Sequence, residues 1–457
     1  MRSTSRLLAL VSAVGLFACG KEATAPEATP EFTTGSKTEL AALAAEVRRL
    51  TGLRGITPLE LPRPVRPALV RLGQALAFDK ILSGNRDISC MTCHLPALAT
   101  GDARSLSIGQ GADGLGLDRV HLGGVFIPRN APALFNMFAL QPLFWDGRVS
   151  RDEAGAFHTP AGAALTAGMT GVFEFGTLSA LPLFPVLSRE EMRASEGNEL
   201  AAISNAEPAK VWTALMARLG TIKEYRRMFE AAYPGQRFQD MSFAHASNAI
   251  AGFLTDRFAF NNSPWDRFLA GDDRAMTLPQ LKGARDFMTA KCSICHNGAA
   301  LTDNKFHNVA VAQLGPGQGD GDGFDDYGRY RVTHDPLDLY AFRTPPLRNV
   351  ELTAPYGHDG AIVDLRAFVD HYSESADKLN AFDANQLEQL LRGTVRPTFP
   401  GILAARDPLL EGVFFTPEVV DEVTEFMKAL TDPAARNLQR TVPGHVPSGL
   451  AVDVKVK

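Results

Sequence analysis

Two short strings carry the residues best suited to chemistry. Cys90-Met91-Thr92-Cys93-His94 and Cys292-Ser293-Ile294-Cys295-His296 share one pattern: two thiols three positions apart, with an imidazole directly after the second. Disulfides within each pair would be strained and labile. A redox pair of the thioredoxin type belongs at a helix start beside a βαβ pattern, and none is visible. One zinc ion could take all four thiolates, but both histidines would then have no role. A c-type haem uses every residue. Each thiol adds to a vinyl group, and the histidine is placed to bind iron from one face. The chain has five cysteines, and only Cys19 lies outside the two strings. The spacing therefore predicts two covalent haems, held by Cys90, Cys93 and His94 and by Cys292, Cys295 and His296.

Helices must position these groups. Before the first string, Val65, Leu69, Leu72, Leu76 and Phe78 fall near helical spacing. Before the second, Leu281, Ala284, Phe287 and Met288 do the same, with Thr277 as the cap. A further helix is expected from Thr416, with Pro417 at its first position and a stripe of Val420, Val423, Met427 and Leu430. Other helices are expected at Glu39–Leu50, Ala209–Ala232 and Phe243–Phe258. The expected fold is mostly α, as two cytochrome c-like haem domains with long connecting loops. The boundaries are 38–275 and 276–433, with a tail over 434–457. Beyond the shared string no internal repeat is evident. The Gly/Asp-rich stretch Gly315–Gly328 misses the EF-hand offsets and reads as a solvated loop.

The ordered set of motifs resembles the bacterial di-haem cytochrome c peroxidase and MauG family. The carriers are SCMTCH, RNAPALFN (Arg129–Asn136), LFWDGR (Leu143–Arg148), CSICH and FRTPPLRNVELTAPYGHDG (Phe342–Gly360), in order from about Leu82 to Leu430. The resemblance implies that the N-terminal haem cleaves hydrogen peroxide and the C-terminal haem relays electrons. Trp145 matches the family's bridging tryptophan. Peroxide cleavage needs an acid–base within hydrogen-bond reach of the iron face. Glu191 matches it, with Glu190 beside it and Glu153 as the fallback, because an insertion over His158–Ser188 precedes it. Some members block the first iron with a histidine; here His121 is one place off, where Leu122 stands. The second iron's distal position falls on Tyr372, as in MauG-like proteins, with His371 adjacent as the rival. A phenolate would favour ferric and higher states. His358 is expected to hydrogen-bond near the second haem. The resemblance also implies a calcium ion, held by the Asn130 side chain and the carbonyls of Thr353 and Pro355.

The implied activity is hydrogen peroxide reduction with electrons from a small redox protein, a cytochrome c or cupredoxin. A MauG-like oxidase acting on a protein or organic substrate is the alternative enzyme, and a non-enzymatic di-haem electron carrier the alternative outside catalysis. A net charge of −5 with no basic stripe gives no sign of nucleic-acid binding. Residues 1–19 read as a lipoprotein signal, with a basic start, a short apolar run and Cys19 at the cleavage point. Residues 20–37 read as a flexible tether. The expected location is the periplasmic side, with the exported chain anchored through lipid on Cys19. A homodimer is the oligomer considered.

Overall fold

The computed structural model describes residues 34–120 and 125–454. His121, Cys19 and the signal and tether lie outside the described residues, apart from the first turn of α1. The fold is mostly helical, as the periodicity predicts. Its main helices are α1 (Thr34–Leu53), α2 (Pro67–Phe78), α3 (Pro208–Gly220), α4 (Lys223–Ala232), α5 (Phe243–Arg257), α6 (Leu278–Thr289), α7 (Leu365–His371) and α8 (Pro417–Ala429). Two antiparallel two-residue ladders complete it. β1 (Ser150–Arg151) pairs with β2 (Phe157–His158), and β3 (Phe306–His307) with β4 (Phe342–Arg343). No described helix is long and apolar enough to cross a membrane.

The caps sit where the sequence places them. The Thr277 side chain accepts from the Gln280 amide, and Thr416 accepts from that of Val419. One expectation fails: residues 209–232 form two helices. At Thr221 the amide and the hydroxyl both donate to the Arg218 carbonyl, and Ile222 is extended, so the chain turns after Gly220. The apolar period runs on across this break, which is why periodicity missed it.

Two large apolar cores and two small ones form among the described residues. The first gathers α2, α3, α4 and α5 around the Cys90–Cys93 turn; the second gathers α6 and α8 beside Cys292. The two cores share a device. Gly73 of α2 lies against α5, where an added β-carbon would stand 1.8 Å from the Ala249 carbonyl oxygen. Gly283 of α6 lies against α8, where it would stand 1.8 Å from that of Glu422. In each crossing a phenylalanine four residues on, Phe253 or Phe426, closes the contact. Only glycine admits backbones this close.

The chain ends cross over. Leu43, Val47 and Leu50 of α1 join the second core, although α1 precedes the first haem string. Ala435, Leu438 and Val446 of the tail join the first. The tail then straps the first haem turn. Ser448 Oγ donates to Asp79 at 2.6 Å, Asp453 pairs with Lys80 at 2.7 Å, and Thr92, inside the CxxC turn, donates to Asp453.

The glycine crossings yield a stability test. Gly73→Ala and Gly283→Ala are each expected to destabilise the haem-loaded protein by about 2–3 kcal/mol, the cost of overpacking a tight core. Denaturant unfolding would read this as a lower midpoint. An unchanged midpoint would mean that the helices separate without cost.

Candidate active site

Each CxxC string forms a single helical turn, Cys90–Cys93 and Cys292–Cys295, and each histidine ends it. The histidine amide returns to the first cysteine's carbonyl in both copies. His94 Nδ1 lies 3.0 Å from the Thr100 carbonyl, and His296 Nδ1 lies 3.1 Å from that of Leu301. A carbonyl only accepts, so Nδ1 carries the proton and Nε2 keeps its lone pair. Burial lowers both imidazoles, His296 to about 4, so both stay neutral. None of Cys90, Cys93, Cys292 and Cys295 forms a disulfide.

An apolar cavity of about 230 Å³ opens on the second site, walled in part by Cys292, Cys295, His296 and Tyr372. Arg343 also lines it. Its guanidinium is buried, among the described residues donates only to the backbone carbonyls of Phe144 and Thr344, and is lowered to about 10 by burial. A buried cation with no acid opposite suits a haem propionate. Paired thiols, an imidazole with a free Nε2, an apolar slot and a spare cation together fit a covalent haem.

His371 and Tyr372 end α7 side by side but differ in surroundings. His371 Nε2 lies 2.8 Å from the Val309 carbonyl, which accepts its proton, and its ring stacks on Phe368. Tyr372 is on the cavity wall, and burial, then the nearby Cys292 and Cys295 thiols, raise its phenol. His358 lines the same cavity, stacked on Phe342 at 3.6 Å, with its imidazole lowered to about 3 by burial.

Trp145 joins the halves. Leu143 and Phe144 pack in the first core, whereas Trp145 lines the second cavity. Its Nε1 donates to the Asn130 carbonyl at 3.0 Å, and its own carbonyl accepts from the Arg343 amide at 2.8 Å. Asn130, Thr353 and Pro355 line this cavity with it. The Asn130 amide nitrogen donates to the Arg104 and Ser105 carbonyls.

Glu191 stands at the first site. The insertion ahead of it folds onto the first core as short turns, burying Leu178, Ala180 and Leu183, and ends at Ser188. Ser188 Oγ accepts from the Glu191 amide at 3.1 Å and starts a wide turn over Arg189–Arg193. Two glycines grip this turn. A β-carbon on Gly109 would lie 1.8 Å from the Glu190 carbonyl oxygen, and one on Gly84 would lie 2.0 Å from that of Arg193. The Glu191 carboxyl is close enough to raise both Cys90 and Cys93. Its own pKa is pushed up to about 7 by burial, against the pull of Arg148. By contrast, Glu190 reaches Ser188, and Glu153 is exposed in the β1–β2 turn.

One group escaped the sequence. Asp325 and Asp326 of the Gly/Asp-rich stretch are buried, so that stretch is not a solvated loop throughout. Asp326 chelates Arg129, with Nε–Oδ2 at 2.6 Å and Nη2–Oδ1 at 2.9 Å. Arg129 Nη1 reaches Asp146 at 2.6 Å. An arginine beside Asn130 and an acid beside Trp145 were the available signal.

Residues 67–274 match the model of a family described as di-haem cytochrome c peroxidase. Cytochrome c551 peroxidase of Pseudomonas aeruginosa is 30% identical over 318 residues, covering 70% of this chain and 73% of that protein. Methylamine utilization protein MauG of Methylorubrum extorquens is 27% identical over 346 residues, covering 75% and 78%. A crystal structure of a MauG-like protein associated with microbial copper homeostasis superposes with a TM-score of 0.59 at 25% identity, covering 85% of this chain and 97% of that one. With both haem strings and this shared length, the chain belongs to the di-haem cytochrome c peroxidase family, oxidoreductases that carry two c-type haems.

Proposed function

We propose that this protein reduces hydrogen peroxide to water with electrons from a small redox protein. The carrying observation is the Glu191 carboxyl, buried beside Cys90 and Cys93 with a pKa near 7. When bound, the haem at Cys90–Cys93 supplies the iron at which peroxide is cleaved, and that at Cys292–Cys295 stores and passes electrons. The chain's task is then to move a proton. The Glu191 carboxylate takes it from the inner peroxide oxygen and returns it to the outer one, which leaves as water. Two electrons and two protons complete the reduction to two waters. His94 and His296 would hold the irons through the Nε2 atoms that their Nδ1 hydrogen bonds leave free. Trp145, bonded to both halves, shortens the path between them.

Tyr372 supports a second reading, a MauG-like oxidase acting on a protein or organic substrate. Its phenol is on the cavity wall with His296, while the His371 nitrogen is committed to a carbonyl. A phenol raised by burial ionises there only with a cation at its oxygen, which favours it as an iron ligand. The calcium site at Asn130, Thr353 and Pro355, a first iron left open by His121, and export with lipid on Cys19 complete the proposal.

Two variants test it. Glu191→Gln is expected to slow the reaction of the ferric protein with stoichiometric peroxide by roughly a hundredfold or more, the usual worth of a positioned acid–base. In the unmodified protein this rate should fall as pH drops through about 7, because the base form of Glu191 is lost by protonation; the glutamine variant should lack that step. An unchanged rate in stopped-flow would reject Glu191. Tyr372→Met should raise the second haem's midpoint potential by roughly 100 mV or more, within the ~0.8 V that axial ligands span. Spectroelectrochemical titration would read it, and an unmoved potential would remove Tyr372 from the iron.

A further inference from the structure

The chain has seven tyrosines, and three of them form one ladder that leaves the second cavity for the surface. Tyr340 is buried and contributes to the cavity wall. Tyr327 meets it edge to face, with ring centroids 5.2 Å apart. Tyr330 meets Tyr327 at 5.9 Å, and the exposed His334 meets Tyr330 at 5.9 Å. Packing alone is served by any aromatic ring. Phenylalanine is four times as common as tyrosine here, 28 against 7, so three consecutive phenols call for another account.

The innermost phenol has a proton acceptor. Tyr340 OH donates to Asp325 Oδ2 at 3.2 Å. Asp325 is only 3% exposed, and its other oxygen has no hydrogen-bond partner. Burial raises this carboxyl, which makes it a better base than a surface acid. A phenol loses an electron far more readily when its proton can leave at the same time.

We propose that Tyr340, Tyr327 and Tyr330 conduct oxidising equivalents from the second haem to the surface, where Tyr330 oxidises small phenols. The inference rests on the peroxide reading above, since hydrogen peroxide is the oxidant. Tyr340 gives one electron inward to the oxidised haem pair and its proton to Asp325. Tyr327 then restores Tyr340 by giving it an electron while Asp325 hands the proton back, the proton that Tyr327 releases leaves to water, and Tyr330 restores Tyr327 with an electron and a proton. A phenol at the surface restores Tyr330, becoming a phenoxyl radical. Two such events supply the two electrons that one peroxide consumes and release two protons to water, from which the two that complete the waters formed are drawn.

The test uses the haem-loaded protein with equimolar hydrogen peroxide and no donor, plus a nitroso spin trap. Haem bands, freeze-quench EPR and tandem mass spectrometry are read together. The unmodified protein should give a tyrosyl signal and a trap adduct on Tyr330. Tyr340→Phe and Tyr327→Phe, which keep each ring, should lose that adduct while the haem bands still respond to peroxide. Hydroquinone added before the trap should remove it in the unmodified protein. Haem bands that respond without an adduct on Tyr330, or an adduct that survives both substitutions, would overturn the ladder alone. Haem bands that stay silent would overturn the peroxide reading and the ladder with it.

Discussion

The Arg129 guanidinium, buried between Asp146 and Asp326, is the constraint on which the site depends. Three distant segments meet there: the loop after the first haem string, the Trp145 segment, and the Gly/Asp-rich stretch of the second half. Against the lowering effect of burial the two carboxylates raise Arg129, and it holds Asp146 well below the usual carboxylate range and lowers Asp326. Removing one partner from a buried pair costs about 3–5 kcal/mol, because the other charge is left uncompensated. The next residue along from Arg129 is Asn130, whose carbonyl accepts from Trp145. One ion cluster thus fixes the backbone on both sides of the tryptophan.

The two halves solve their helix packing in the same way. Gly73 against Ala249 and Gly283 against Glu422 put a helix that leads into a haem string against a later helix of the same core. The glycine admits the close approach of the helices, and the phenylalanine that follows closes the contact. Each haem turn is then attached to a rigid crossing. A repeat of this kind is nearly silent in sequence. It is carried by one residue type per helix, and the matching partner is a backbone carbonyl, which any residue can supply.

What was legible follows from how strictly the chemistry fixes residue type. Thioether attachment demands two cysteines and one histidine at fixed spacing, so Cys90, Cys93, His94, Cys292, Cys295 and His296 stand out without any relative. Capped helices were legible because Thr277 and Thr416 must present an oxygen before an apolar stripe. Glu191 was reached only through resemblance, since any solvated glutamate looks the same and an insertion shifts the spacing. Composition misled at Asp325 and Asp326: glycine and aspartate average to a solvated loop, yet these two carboxylates are buried beside Arg129 and Tyr340. Sequence order also misled, since α1 precedes the first haem string and packs in the second core.

The two sites treat their oxygen acids in opposed ways, and this asymmetry assigns the work. At the first site a carboxyl is held near 7 by burial, poised to gain or lose a proton. That poise costs folding energy, because an ionised carboxylate is poorly solvated there. The close approach of Gly84 and Gly109 to the Arg193 and Glu190 carbonyls packs the backbone of the Glu191 turn against the first half. At the second site burial raises Tyr372 and Tyr340 above an ordinary phenol, so neither ionises on its own. On the proposed reading each gives up its proton only with help, Tyr372 when a metal binds its oxygen and Tyr340 to Asp325 as an electron leaves. On that reading, proton transfer without net redox change belongs to the first half, and proton loss coupled to charge at the metal or to electron loss belongs to the second.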